Sequence, residues 1–168
     1  MISPVLQKDL DQLRSFAEFT FRYAYEHMND PVQFEAYCTE FFSEEQWLKE
    51  WQHPDSEFWW IWIKGQLAGY LKLNFDNHQP TLQNLNTIQI ERIYVAPDFQ
   101  SKGVGLQLME FSEKRGKEKG CAWIWLSVWQ KNPRAVRFYE RCGYVICGTE
   151  IFPVGDDPQL DWVMKKAL

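Results

Sequence analysis

The chain has 168 residues, of which 45% are hydrophobic and 17% aromatic, and it carries a formal net charge of −5. This length makes one ordinary domain, residues 1–168, with ample side chain for a core, and the acidic balance argues against a nucleic-acid partner, whose phosphates call for a basic face. No apolar run approaches membrane-spanning length, and "MISPVLQKDLDQL" lacks the basic and apolar regions of a secretion signal, so a cytoplasmic protein without membrane contact is expected.

Residues 10–27 place Leu10, Leu13, Phe16, Ala17 and Phe21 at helical spacing, which predicts a first helix. Pro31 breaks it, and a second helical tract follows through "FEAYCTEFF". Ser43 and Gln46 have capping-box spacing ahead of "WLKEW", the body of a third helix. "EFWWIWIKGQLAGYLKLNF" predicts a hairpin turning at Lys64, Gly65 and Gln66, and "TIQIERIYV" is another strand after a loop over residues 76–86. A helix over 104–119 precedes "CAWIWLSVW", whose near-continuous apolar character marks a strand buried on both faces. Asn132 caps a short helix with Pro133 at its first position, which ends near Cys142 with Gly143 behind it. Two last strands, over 144–152 and 160–166, flank the turn "GDDPQ".

Between the "TIQIERIYV" strand and the following helix lies "QSKGVG". Gly103 and Gly105 let backbone N–H groups turn together toward an anion, the helix start adds its positive dipole end, and Lys102 adds a charge, so a phosphate-bearing ligand fits. The same glycines also ease a tight strand-to-helix turn. A nucleotide P-loop needs Gly, Lys and then Ser or Thr, whereas Ser101-Lys102-Gly103 runs the other way, and the third glycine of a dinucleotide fingerprint is replaced by Leu108. Cys38, Cys121, Cys142 and Cys147 form no Cys-x-x-Cys pair, and His27, His53 and His78 are isolated, so neither a disulfide framework nor a metal site is expected. The first 60 residues hold 12 acidic against 4 basic side chains, and the remainder 11 against 14. Solvated acidic helices account for this, as does an acidic wall for a cationic substrate beside a more basic cofactor half.

The order of strand, Gln-x-x-Gly-x-Gly loop, helix, strand and then "NPRAVRFYERCGY" resembles the GNAT acetyltransferase superfamily, over residues 57–168. The resemblance implies an α/β fold with a central mixed, mostly antiparallel sheet, splayed between its fourth and fifth strands and flanked by helices. It also implies an enzyme that passes the acetyl group of acetyl-CoA to a primary amine by direct attack in a ternary complex, without a metal. Gln100, Ser101, Lys102, Gly103, Val104 and Gly105 would hold the diphosphate of coenzyme A. The backbone of Ile93, Tyr94 and Val95, together with Asn132, would line its pantetheine arm and acetyl oxygen. Tyr139 would protonate the departing thiolate, and Glu91, placed by strand alternation on the face of Ile93 and Val95, would act as base directly or through water. On the residues alone, Tyr139 equally reads as helix core, Asn132 as an N-cap and Glu91 as the ion-pair partner of Arg92 or another basic residue.

"ERIYV", "AWIWLSVWQKN" and "GDDPQLDWVMKK" are similar to the PaiA-like branch, the polyamine N-acetyltransferases, which implies spermidine or spermine as acceptor. Ser101 departs from that pattern where glycine is common, and Leu160 and Trp162 stand where more polar or aliphatic residues are expected. Asp156, Asp157 and Asp161 are turn residues or acceptor contacts. A protein N-terminus, a lysine or another small amine is the alternative acceptor, and the fold also suits a sensor that binds acyl-CoA without turnover. The resemblance is compatible with a homodimer.

Overall fold

The computed structural model describes residues 1–75, 82, 85–154 and 157–168. In chain order these form β1 (Ile2–Pro4), α1 (Leu10–Tyr25), α2 (Pro31–Phe41), α3 (Glu44–Trp51), β2 (Ser56–Ile63), β3 (Gln66–Asn74), β4 (Thr87–Val95), α4 (Val104–Glu118), β5 (Trp123–Trp129), α5 (Pro133–Arg141), β6 (Val145–Val154) and β7 (Asp157–Ala167). The seven strands make one mixed sheet in the order β1-β2-β3-β4-β5-β7-β6, antiparallel except where β4 meets β5.

Local chemistry explains most boundaries, including those that differ from the sequence expectation. Asp30 accepts hydrogen bonds from the backbone N–H groups of Val32 and Gln33 at 3.0 Å, so Pro31 opens α2 as its first residue as well as ending what precedes it. Ser43 caps α3 through Gln46 N at 3.4 Å, but the Gln46 side chain turns to Glu50 at 2.8 Å, so only half of a capping box forms. Lys64 and Gly65 both take left-handed backbone, with φ of 49° and 76°, and Gln66 already pairs with Ile63 as part of the strand. β1 is unannounced in the sequence because three residues are too few to carry an alternation; pairing with β2 creates it, with Ile2 opposite Ile61. Asp157, Pro158 and Gln159, expected in a turn, are strand residues paired with Val154, Pro153 and Phe152. Gly155, Asp156, His78 and most of the expected 76–86 loop lie outside the described residues.

The sheet separates two apolar layers. On one face, Leu108 and Met109 of α4 pack against Ile88, Ile90, Ile124 and Leu126. On the other, Leu13 and Ala17 of α1, Phe34 of α2 and Trp47 of α3 cover Phe58 and Tyr70. This sandwich fixes which side chains face which layer, and so where a ligand has access.

Two irregularities matter for the site. The parallel pairing of β4 with β5 starts at Thr87 opposite Trp123 and stops at Ile90 opposite Leu126, although β4 runs on to Val95 and β5 to Trp129. Between β3 and β4, Lys72 pairs with Arg92 and Leu73 with Ile90, which leaves Glu91 as the extra residue of a β-bulge. Beyond the bulge β4 follows β3 and departs from β5, which gives the expected splay.

Gly69 secures the diverging end of β4. A Cβ on Gly69 would stand 2.6 Å from the Tyr94 carbonyl oxygen and 3.3 Å from side-chain atoms of Ile61 and Leu108. Gly69→Ala should therefore destabilise the fold by about 1–3 kcal/mol through overpacking. Thermal or denaturant unfolding measures this, and an unshifted transition would contradict the close approach of β3 to β4.

Candidate active site

The open stretch of β4 presents backbone to the gap. Ala96 N donates to Ala68 O at 2.9 Å, and the Tyr94 carbonyl lies against Gly69, so these two residues turn toward β3. By strand alternation Ile93 and Val95 turn their N–H and C=O groups the other way, toward β5, where pairing has ended. Their side chains pack into the α4-side core. Gln100 Nε2 donates to Val95 O at 3.3 Å, which ties the glycine loop to the mouth of the gap.

The loop itself is wound by two left-handed residues, Ser101 with φ of 60° and Gly103 with φ of 78°. Ser101, standing where the family commonly has glycine, thus adopts the backbone that glycine would take at least cost, and its hydroxyl accepts from Arg134 at 3.4 Å. Gly103 is the N-cap of α4 and has no side chain to cap it, so the N–H groups of Val104, Gly105 and Leu106 at the helix start have no intrahelical acceptor. The first intrahelical bond is Gln107 N to Gly103 O at 3.1 Å. A Cβ on Gly105 would stand 3.3 Å from the Phe138 ring, so this glycine lets α4 pack closely on α5 as well as leaving the backbone accessible. The Lys102 side chain is exposed, with its ammonium 5.9 Å from the Phe99 ring centre. The result is a cluster of free N–H groups and one cation, suited to a diphosphate.

On the opposite face of the sheet, under α1 and α2, lies a cavity of about 210 Å³. Its wall includes Tyr25, Tyr37, Tyr94 and Trp129, with the carboxylates of Glu91, Glu150 and Asp161. Tyr139 reaches this wall from α5, although α5 packs against the α4-side core, so its ring lies where the two faces communicate. Burial, with smaller contributions from Tyr25 and Cys142, pushes the Tyr139 phenol well above its ordinary pKa, so it stays protonated at neutral pH. Asn132 caps α5 by accepting from Ala135 N at 3.2 Å, and its side chain also meets the Tyr25 hydroxyl. Tyr94 gives its backbone to β3 and its ring to the cavity, stacked on Tyr70 at 5.6 Å.

Glu91 lies elsewhere than strand alternation predicts. The bulge turns both Glu91 and Arg92 toward the α1–α3 layer, away from the face of Ile93 and Val95. There Lys72 bonds Glu91 and Glu50, each at 2.8 Å, while Arg92 reaches Glu50 at 2.8 Å and Glu91 at 3.0 Å. Asn74 donates a further hydrogen bond to Glu91. The Arg92 guanidinium lies over the rings of Phe41 and Trp47, 4.4 and 5.2 Å from their centres. Burial would raise the Glu50 carboxyl, but Arg92 and Lys72 hold it down to about 2. Two buried cations and two partly exposed carboxylates thus form a neutral quartet that ties α3 to the bulge. Sequence reading named Arg92 as a partner of Glu91 but missed Lys72 and Glu50; the signal was a lysine inside the central-strand run "YLKLN".

Asp161, on β7, is 8% exposed and stands opposite Trp129 of β5 and Glu150 of β6. Burial, reinforced by Glu150, raises its carboxyl to about 6. Asp157 is exposed at the start of β7. The four cysteines are free, and among the described residues none lines the cavity.

The description "Acetyltransferase (GNAT) family" matches residues 16–144. Over 167 residues the chain is 35% identical to a protein of Lactobacillus delbrueckii subsp. lactis named as an uncharacterized N-acetyltransferase in the pepI 3′ region, covering 99% of this chain and 96% of that one. It is 24% identical over 163 residues to the spermidine N(1)-acetyltransferase of Thermoplasma acidophilum, covering 95% and 91% of the two chains. Its fold is similar to the crystal structure of the PaiA N-acetyltransferase from Thermoplasma acidophilum in complex with coenzyme A, with a TM-score of 0.77, 22% identity and coverage of 100% and 98%. The splayed sheet, the capless glycine loop and the match over most of its length together make this chain a member of the GNAT acetyltransferase family.

Proposed function

We propose that the protein acetylates a primary amine of a polyamine, such as spermidine or spermine, using acetyl-CoA in a ternary complex. The observation that carries this reading is the gap between β4 and β5, which has free backbone groups and an anion cradle on one side and an aromatic, acidic cavity on the other. Acetyl-CoA, when bound, supplies a thioester-activated acetyl group.

The chain's own residues supply the rest. The N–H groups of residues 101–106, with Lys102, bind the diphosphate. Backbone at Ile93 and Val95, with Asn132 nearby, orients the thioester arm across the gap. Tyr139, kept protonated by burial, donates to the departing sulfur. Glu91, whose carboxylate lies on the cavity wall while bonded to Lys72, Arg92 and Asn74, is the base of this reading and takes the proton of the attacking amine directly or through water. In this reading the acetyl group passes straight to the amine within the ternary complex. Support for a polyamine comes from the PaiA-like motifs, the spermidine-acetylating relative, and the acidic surplus of the first 60 residues.

Two variants test the assignments separately. Gly103→Val puts a β-branched side chain on left-handed backbone, which distorts the loop and blocks approach to its N–H groups, so coenzyme A affinity should fall roughly tenfold or more. Calorimetry with the folded variant decides, and unchanged affinity would remove the loop from the cofactor site. Tyr139→Phe keeps the ring and removes the proton, so kcat should fall on the order of 10²-fold with little change in coenzyme A affinity. Undiminished turnover on spermidine would exclude Tyr139 as the acid. A preference for an N-terminal peptide over spermidine in a thiol-release assay would overturn the polyamine assignment alone.

A further inference from the structure

The cavity wall carries a carboxylate, Asp161, that the quartet does not engage. Besides Glu91 and Arg92, which are balanced by Lys72 and Glu50, the charged side chains on its described wall are Glu150 and Asp161, both negative. They face each other as direct cross-strand partners, an arrangement that destabilises a sheet when the charges are alike. Among the described residues Asp161 has no hydrogen-bond or ion-pair partner, although it is more than nine-tenths buried and lines the cavity. The groups facing it are Glu150 on β6, Trp129 on β5 and Tyr25 on α1, and none of these is a cation. The Asp161 oxygens are not fully enclosed and open toward the cavity, and so poorly hydrated a carboxylate is costly without a partner.

Resting on the acetyl-transfer reading above, we propose that Asp161, with Glu150 facing it, anchors a second cationic nitrogen of the acceptor, so that the enzyme selects diamines and polyamines over monoamines.

The position decides between the reacting nitrogen and a second one. Tyr139 marks the point of transfer at the gap between β4 and β5. Asp161 sits on the strand beyond β5, one further strand spacing of about 4.8 Å away. A nitrogen held there by a charge-assisted hydrogen bond is offset from the reacting nitrogen by about the length of a short carbon chain. Tyr25 and Trp129, whose ring centres are 6.2 Å apart, and Tyr37 and Phe152, at 6.0 Å, add aromatic faces that favour ammonium groups along the way. Neutralisation by a bound cation also removes the like-charge conflict between Glu150 and Asp161, so the free protein holds a site that the ligand relaxes.

The test compares putrescine with n-butylamine, which has the same carbon chain and one nitrogen fewer, by calorimetry on the full chain with and without coenzyme A. The wild type should prefer putrescine by at least about tenfold. Asp161→Asn should collapse that ratio toward one, and Glu150→Gln should lower it by a smaller factor. Asp161→Asn removes a buried charge facing another, so its thermal unfolding at pH 8 should come no earlier than that of the wild type, which checks that the variant is folded. A wild type without preference for putrescine would overturn the proposal. So would a ratio maintained in Asp161→Asn, including equal weakening of both amines, which would assign Asp161 to the reacting nitrogen. Failure of the acetyl-transfer reading is a separate result, namely no coenzyme A binding to the wild type, and it leaves the amine ratio measurable.

Discussion

The loss of pairing between β4 and β5 after Ile90 and Leu126 is the feature on which the rest of the site depends. An interior strand with one unpaired edge is unfavourable unless its polar groups find other partners. Here Val95 O takes a hydrogen bond from Gln100, and the aromatic rings of Tyr94 and Trp129 line the open space. The bulge at Glu91 allows the divergence, because its extra residue changes the course of β4 while β5 stays paired with β7 as far as Trp129. The neutral quartet of Glu50, Lys72, Glu91 and Arg92 then fastens the bulge to α3, so the gap is built into the packed core.

The gap joins two chemically different faces. On the α4 side the polar groups are backbone N–H and the nearby charge is Lys102; on the α1–α3 side the described wall is aromatic and carries the carboxylates of Glu91, Glu150 and Asp161. On the reading proposed above, an anionic cosubstrate and a cationic acceptor have separate approaches, and Tyr139 stands where the two faces communicate. Asp161 shows the cost of an unpaired carboxylate on that wall, since burial and the facing Glu150 raise its carboxyl to about 6. Perturbed groups of this sort concentrate where function, not stability, sets the residue.

Much of the scaffold was legible because its signals are local. The Asn132-Pro133 start of α5, the Lys64-Gly65 turn and the helical spacing of Leu10, Leu13 and Ala17 each rest on one stretch of chain. The glycine loop was legible for the same reason, although the packing of Gly105 on Phe138 was not, because that contact joins residues far apart in sequence. The bulge escaped because a period-two pattern gives no sign of an inserted residue when Glu91 and Arg92 are both polar. Lys72 and Glu50 escaped because a buried lysine is explained only by its partners on other elements. Asp161 was legible as a possible contact, but its burial and its pairing with Glu150 emerge only from the register of β6 with β7.

The central claim is that both ligands occupy the two sides of one gap at the same time. Initial-rate kinetics with varied acetyl-CoA and varied spermidine test it most directly. Simultaneous occupation predicts intersecting double-reciprocal lines and no acetylated protein when acetyl-CoA is supplied alone. Parallel lines, together with an acetyl group covalently attached to the chain, would contradict it.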